Sequence, residues 1–169
     1  MTTVLARSRH LASILGLVAT AIAVGGCSLD GNSTLPPFSD PAVQTYDAST
    51  GVVIANMTRV NAQLYTQDLV AGTGRTVAVG DSITVFYSGR LSTGFQFDAR
   101  VAPATPFSTV LADTRLIAGW VDGLPGMKVG GTRRLVIGPA LAYEFQPRAS
   151  IPPNSVLVFD VQVTAALPR

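Results

Sequence analysis

The chain is short of the residues that most enzymes use for acid–base and nucleophilic work. Its 169 residues include 1 Cys and 1 His. These are Cys27 and His10, so everything after Cys27 lacks both types. A single Cys excludes a disulfide within the chain. Without imidazole or thiol, the region after Cys27 cannot build a zinc site from His or Cys ligands. Ser-His-Asp and Cys-His devices are excluded there for the same reason. Charge is scarce too. Charged residues make up 13% and the formal net charge is +2, so the concentrated basic footprint of a nucleic-acid binder is missing. Among the basic residues only Lys128 is a Lys. No internal repeat is visible. Gly72-Thr73-Gly74 lacks the third glycine of a dinucleotide fingerprint and the Gly-Lys-Ser/Thr ending of a phosphate loop. What the chain does have is hydrophobic residues, at 47%. That excludes a disordered polyelectrolyte and suffices for one core.

The first 26 residues read as an address. Arg7, Arg9 and His10 precede a small and aliphatic run from Leu11 to Gly26. A basic region, then an apolar region, then small residues is the order of a secretory signal. The run is shorter than the roughly 20 residues that a membrane span needs. Val24-Gly25-Gly26-Cys27 ends it and resembles the lipobox of bacterial lipoproteins. The resemblance implies that residues 1–26 are a removed signal peptide and that Cys27 is acylated, by palmitate or a similar chain. The expected location is the cell membrane, lipid-anchored on its extracytoplasmic face. Removing residues 1–26 deletes Arg7 and Arg9, bringing the 12 basic residues down to the number of acids, 10. The mature chain is expected to be near neutral.

Residues 27–47 read as a lipidated Cys followed by a flexible tether, with Pro36, Pro37 and Pro41 among small polar residues. Residues 48–169 form the expected domain. Strand candidates are Val52–Ala55, Ala62–Val70, Ser82–Leu91, Phe95–Phe97, Thr132–Ile137 and Ser155–Thr164. In Ser82–Leu91, Ile83, Val85, Tyr87 and Leu91 alternate with Ser82, Thr84, Ser88 and Arg90. In the last candidate, Leu157, Phe159, Val161 and Val163 alternate with Asp160, Gln162 and Thr164. Alternation of this kind predicts sheets with one covered face. Leu116, Ile117, Trp120 and Leu124 recur at helical spacing, with Asp113 or Thr114 as the expected cap and Gly123 and Pro125 as the stop. Gly119 inside that helix costs about 1 kcal/mol relative to Ala.

A longer pattern runs through these elements. In order come Val79-Gly80-Asp81, Val85-Phe86-Tyr87-Ser88-Gly89, Gly94 to Asp98, Pro106-Phe107, Leu116 to Trp120, Gly123-Leu124, Met127, Val129-Gly130, Pro139, Tyr143, Ile151-Pro152-Pro153 and Leu157 to Val161. From about Leu64 to Leu167 the chain resembles the FKBP family of peptidyl-prolyl cis-trans isomerases. The resemblance implies an α+β fold, an antiparallel β-sheet of about five strands wrapped around one short amphipathic helix. It implies an aromatic pocket in which Tyr87, Phe97, Asp98, Trp120, Tyr143 and Phe159 act on the substrate and Phe107, Leu116 and Ile117 bind it. Trp120 would be the floor and Tyr87, Phe97 and Phe159 the walls. The Ile117 N–H and the Tyr143 hydroxyl would donate to ligand carbonyls, and Asp98 would place a carboxylate at the edge.

The implied activity is prolyl isomerisation during folding of exported proteins. The alternative is a chaperone or adaptor that holds proline segments without catalysis. Implied partners are proline-containing segments of exported proteins, macrolide immunosuppressant-type ligands and the membrane through its lipid; no nucleic acid, metal or cofactor is expected, and the chain is expected to be a monomer. Departures from the family pattern cluster at the pocket edge. Thr109 replaces a usual aromatic, Leu141 a common Tyr and Glu144 a usual Gly, and the loop from Glu144 to Ser150 is one residue shorter than in many members.

Overall fold

The computed structural model describes residues 35–112 and 114–169. The expected signal peptide, Cys27 and Asp113 lie outside the described residues. Seven strands are described: β1 (Thr58–Asn61), β2 (Leu64–Val70), β3 (Ser82–Leu91), β4 (Gln96–Arg100), β5 (Phe107–Val110), β6 (Thr132–Ile137) and β7 (Leu157–Leu167). One α-helix, α1, spans Ala118–Gly123. All strand pairs are antiparallel. They run in the order β1-β2-β6-β7-β3-β4, with β5 also paired to β3. The expected antiparallel sheet with one short helix is therefore present, with more strands than the five expected.

The edge of β3 is shared. Ser82 to Val85 pair with β5, and Tyr87 to Arg90 pair with β4. The chain between β4 and β5 thus opens beside the middle of β3, where Tyr87 stands. On the inner face, Ile83, Val85, Leu135, Ile137, Leu157, Val161 and Val163 are fully buried together with Leu64 and Leu124. Burying each such side chain contributes about 1.5–3 kcal/mol.

The helix lies on this inner face. It is shorter than its apolar spacing predicts. Leu116 and Ile117 precede it, and Ile117 is the N-cap in extended conformation with no side-chain cap hydrogen bond. The expected cap at Thr114 is not made, because Thr114 lies in the turn before Leu116. Gly119, which propensity alone disfavours, has a packing reason. A Cβ there would drive into the side chain of Ile137 on β6. From β6, Arg133 reaches back and donates to the carbonyls of Gly123 and Pro125 at 2.9 and 3.1 Å. Its guanidinium also pairs with Asp68 at 2.6 Å. Helix and sheet are tied by one side chain.

Four strand expectations change. Phe95–Phe97 becomes Gln96–Arg100, because pairing with β3 carries the strand on to Arg100, and Ser155–Thr164 becomes Leu157–Leu167, because β7 stays paired with β3 to its end. Val52–Ala55 is not a strand; Ile54–Asn56 forms a 3-10 turn. Its apolar residues serve another purpose. Tyr46, Val52, Ile54 and Met57 cover a second buried cluster of Tyr65, Val136, Val156 and Val158 on the outer face of the sheet. Val136 is fully buried for that reason. Ala62–Val70 begins at Leu64, because the Asn61 side chain accepts the Gln63 N–H at 2.8 Å and turns the chain between β1 and β2.

The folded unit also begins earlier than the expected tether allows, at Pro36. Ser39 N and Oγ donate to the side-chain and main-chain oxygens of Asn154, each at 2.9 Å. The Asp47 N–H donates to the carbonyl of Ser92 at 2.8 Å. The Tyr46 hydroxyl donates to the Pro41 carbonyl at 2.8 Å. Burial holds that phenol well above its ordinary pKa. Aromatic residues anchor a segment that otherwise reads as polar.

Candidate active site

Five rings converge where β3, β4, β5, α1 and β7 meet. Trp120, on α1, is buried at 4% exposure, as is Phe159 on β7. Their rings meet edge to face at 5.4 Å and 88°. Tyr87 from β3 stands across the indole at 5.3 Å and 83°. Phe107, at the start of β5, meets Tyr87 at 6.1 Å and Trp120 at 6.4 Å. Phe97 on β4 closes the set, 5.5 Å from Phe159 at 84°. Edge-to-face pairs set a ring's positive edge on another's negative face and contribute about 0.5–1.5 kcal/mol each beyond area burial. The cluster fixes the shape of the floor.

Gly89 makes that approach possible. It points inward from β3, and a Cβ there would stand 2.8 Å from both Phe159 and Phe97. Any side chain would push the two rings apart. A glycine at an inward position of an alternating strand is a readable signal of close approach.

The rings line a cavity of about 160 Å³. Tyr87, Phe97, Asp98, Phe107, Leu116, Ile117, Trp120, Tyr143 and Phe159 all border it. Those are the nine residues that the family resemblance assigns to the pocket, and the structure brings them together. One lining residue was missed, Arg115. It directly precedes Leu116 and Ile117, and its charge beside an apolar pair was the available signal. Cys27, expected to carry lipid, lies outside the described residues.

Polar groups sit at the cavity's edge. The Tyr87 hydroxyl donates to Asp98 Oδ2 at 2.6 Å. Burial, then this hydrogen bond, pushes the Tyr87 phenol well above its ordinary pKa. Tyr143 is also pushed up, first by burial, with Arg148 opposing. Both phenols keep their protons at neutral pH and can donate. The Arg148 guanidinium lies 5.1 Å from the centre of the Tyr143 ring, within the reach of a cation–π attraction. The Trp120 indole N–H is buried and has no hydrogen-bond partner among the described residues.

The segment carrying Tyr143 is unusual in its backbone. Glu144, where the family usually has Gly, holds a left-handed φ of 52°. A non-glycine residue is disfavoured there by roughly 1–2 kcal/mol. Hydrogen bonds hold the conformation: Glu144 N–H donates to the Pro139 carbonyl at 2.8 Å, and Asn154 N–H donates to the Glu144 carbonyl at 2.7 Å. Phe145 stacks on Phe38 at 5.0 Å and 21°. The loop is thus braced by the segment expected to be a tether, through Ser39 and Phe38.

Comparison with known proteins places this geometry. Residues 73–164 match the family model of the FKBP-type peptidyl-prolyl cis-trans isomerases. The chain belongs to that family. It is 42% identical over 100 residues to the probable FKBP-type peptidyl-prolyl cis-trans isomerase of Haemophilus influenzae, covering 59% of this chain and 41% of that protein. It is 47% identical over 96 residues to FK506-binding protein 4 of Chaetomium thermophilum, covering 57% of this chain and 20% of that protein. The crystal structure of FkpA from Escherichia coli superposes with a TM-score of 0.61 at 37% identity, covering 67% of this chain and 52% of that one. The match therefore spans about a fifth to a half of these longer proteins.

Proposed function

We propose that this protein is a peptidyl-prolyl cis-trans isomerase that acts on exported proteins at a membrane face. The observation that carries the reading is the convergence of nine apolar, aromatic and edge-polar residues on one small cavity. The chemistry needs no more than this. The amide C–N bond has partial double-bond character and a rotation barrier of about 18–20 kcal/mol. An unaided X–Pro bond isomerises in tens to hundreds of seconds. The planar amide has a charge-separated resonance form that water stabilises. The twisted amide has lost that resonance and is less polar at its carbonyl. A cavity walled by Tyr87, Phe97, Trp120 and Phe159 removes water and so disfavours the planar state. Ile117 N–H and the Tyr143 hydroxyl are the assigned donors to the substrate's carbonyls, as the family resemblance implies. Binding the twisted state better than the planar one is what raises the rate, tenfold for each 1.36 kcal/mol or so.

The test is turnover of a proline peptide by the purified protein, set beside Tyr87→Phe and Asp98→Asn. Rate enhancement that falls in these variants supports the reading; no enhancement at high protein concentration rejects it. A second reading, holding proline segments without catalysis, is favoured by the Glu144 backbone and the short rim loop. Binding without rate enhancement would select it.

The membrane location rests on the apolar run Leu11–Gly26 and on Val24-Gly25-Gly26-Cys27. Acylation at Cys27 would add about 0.8 kcal/mol of membrane affinity for each buried CH₂. The chain with Cys27→Ala should leave the membrane fraction, and its retention there sinks the anchor. Macrolide ligands of the kind the family binds are proposed for the same cavity.

A further inference from the structure

A second cavity adjoins the proline pocket. It measures about 400 Å³ and shares Phe97, Asp98, Arg115 and Tyr143 with the first. Arg148 and Ser150 are among the residues on its far side. Its chemistry differs from that of the floor, because two arginines, Arg115 and Arg148, line it with one carboxylate, Asp98. That carboxylate, Asp98, already accepts the Tyr87 hydroxyl. Arg148 is held in place twice. Its main chain exchanges two hydrogen bonds with Ile151, at 3.1 and 3.0 Å, and Ile151 is buried in the core. Its guanidinium lies over the ring of Tyr143. The cation is therefore placed at the cavity before any ligand arrives. A substrate with proline on Trp120 would set its adjacent residue here.

We infer that this second cavity is a subsite for an acidic side chain next to the substrate proline, with Arg115 and Arg148 as the residues that set the preference. The inference deepens the isomerase reading and rests on the first cavity being the proline site. A carboxylate in the subsite faces two arginines and one carboxylate, Asp98, which already accepts the Tyr87 hydroxyl, and a guanidinium is well suited to bind a carboxylate through paired N–H donors. A lysine in the same place meets repulsion. Exposed charge pairs are individually weak, so two of them, attraction to Glu and repulsion of Lys together, give about a tenfold spread. The spread shrinks as salt rises, because exposed charges are screened.

The experiment is calorimetric titration of the purified protein with blocked tetrapeptides containing one proline. The residue before it, and in a second series the residue after it, is Glu, Gln or Lys. The expected result is Glu tighter than Gln and Gln tighter than Lys in one series, about tenfold from end to end. Which series responds gives the direction in which the substrate lies. Arg148→Ala should narrow the spread, and Arg148→Glu should reverse the order. Arg148 is exposed on a loop, so its variants should melt like the parent. Arg115→Ala should narrow the spread further in the double variant. Equal affinity for Glu, Gln and Lys in both series overturns the subsite, as does a spread that survives in the double variant. Isomerisation rates on the same peptides separate the two claims. Charge-ordered binding without rate enhancement upholds the subsite and rejects catalysis. Rate enhancement without charge order does the reverse, and no binding of any peptide rejects both.

Discussion

The floor of the pocket and its rim are built by different means. Trp120, Tyr87, Phe97, Phe107 and Phe159 stand on the helix and on strands, each pinned by neighbouring rings and, for the four on strands, by a backbone ladder. Tyr143 and Arg148 stand on a loop that owes its shape to a few individual hydrogen bonds and to one stacked pair, Phe38 on Phe145. The floor is therefore coupled closely to the stability of the whole domain, and the rim only through single contacts such as those of Ile151 and Tyr143. Damage to the floor should unfold the protein as it abolishes binding. Damage to the rim should change selectivity in a protein that melts almost normally.

The largest effect that would test this contrast is Trp120→Ala. Truncating a buried Trp costs about 3–5 kcal/mol, so the denaturant midpoint should fall steeply and peptide binding should vanish with it. A variant that stays as stable as the parent would break the coupling between floor and fold. Gly119→Ala comes next. Helix propensity favours Ala by about 1 kcal/mol, but the Cβ meets Ile137, and overpacking a core costs typically about 1–3 kcal/mol. The expected outcome is a net loss of stability; a net gain means that the helix does not lie so close to β6.

Acid sharpens the same comparison. Asp81, buried just before β3, accepts from Arg75 at 2.5 and 2.9 Å and from the Ala78 N–H at 2.8 Å. The Arg75 side chain first, then the Ala78 N–H, holds its carboxyl below the ordinary carboxylate range. Because the folded-state value is the lower one, the contribution is complete above the unfolded value, about pH 4. It is lost as pH falls through the folded value. Thermal melting should therefore drop more steeply below about pH 4 in the parent than in Asp81→Asn, and equal slopes would remove Asp81 from the account. The smallest effect belongs to the rim. Phe38→Ala removes a stacked pair that contributes about 0.5–1.5 kcal/mol. It should lower the melting temperature by only a few degrees, far less than Trp120→Ala, while changing KM for proline peptides a few-fold with kcat kept. A large fall in kcat would show that rim and floor are one unit.

The same division decides what could be read before any coordinates. The floor was legible because an ordered run of motifs carries the family resemblance, and periodicity agrees with it at three residues. Tyr87 and Phe159 fall on the inward phase of alternating strands, and Trp120 falls in the helical repeat with Leu124. The rim was less so. Its bracing joins Ser39 to Asn154, 115 residues apart, through a segment whose prolines and serines carry no period. Val52 and Ile54 misled for a related reason: a β-branched pair that covers a sheet from outside looks like a strand. Arg115 and Arg148 are ordinary surface residues until the fold sets them around one cavity. Glu144 stood out only as a departure, and its physical meaning, a left-handed residue held by two hydrogen bonds, required the backbone.

One feature of the floor has a practical consequence. The chain contains 1 Trp, and that residue lies buried beneath the candidate proline site at 4% exposure. Tryptophan emission from this protein thus has a single source, at the place where a ligand would arrive. A proline ring laid in the cavity would change the surroundings of the indole and so alter its emission. Occupancy can be followed without a label, and the same signal reports melting. The two readouts separate in time: ligand exchange is fast and reversible, whereas unfolding moves the indole into solvent cooperatively. The residue that shapes the cavity is also its built-in optical probe.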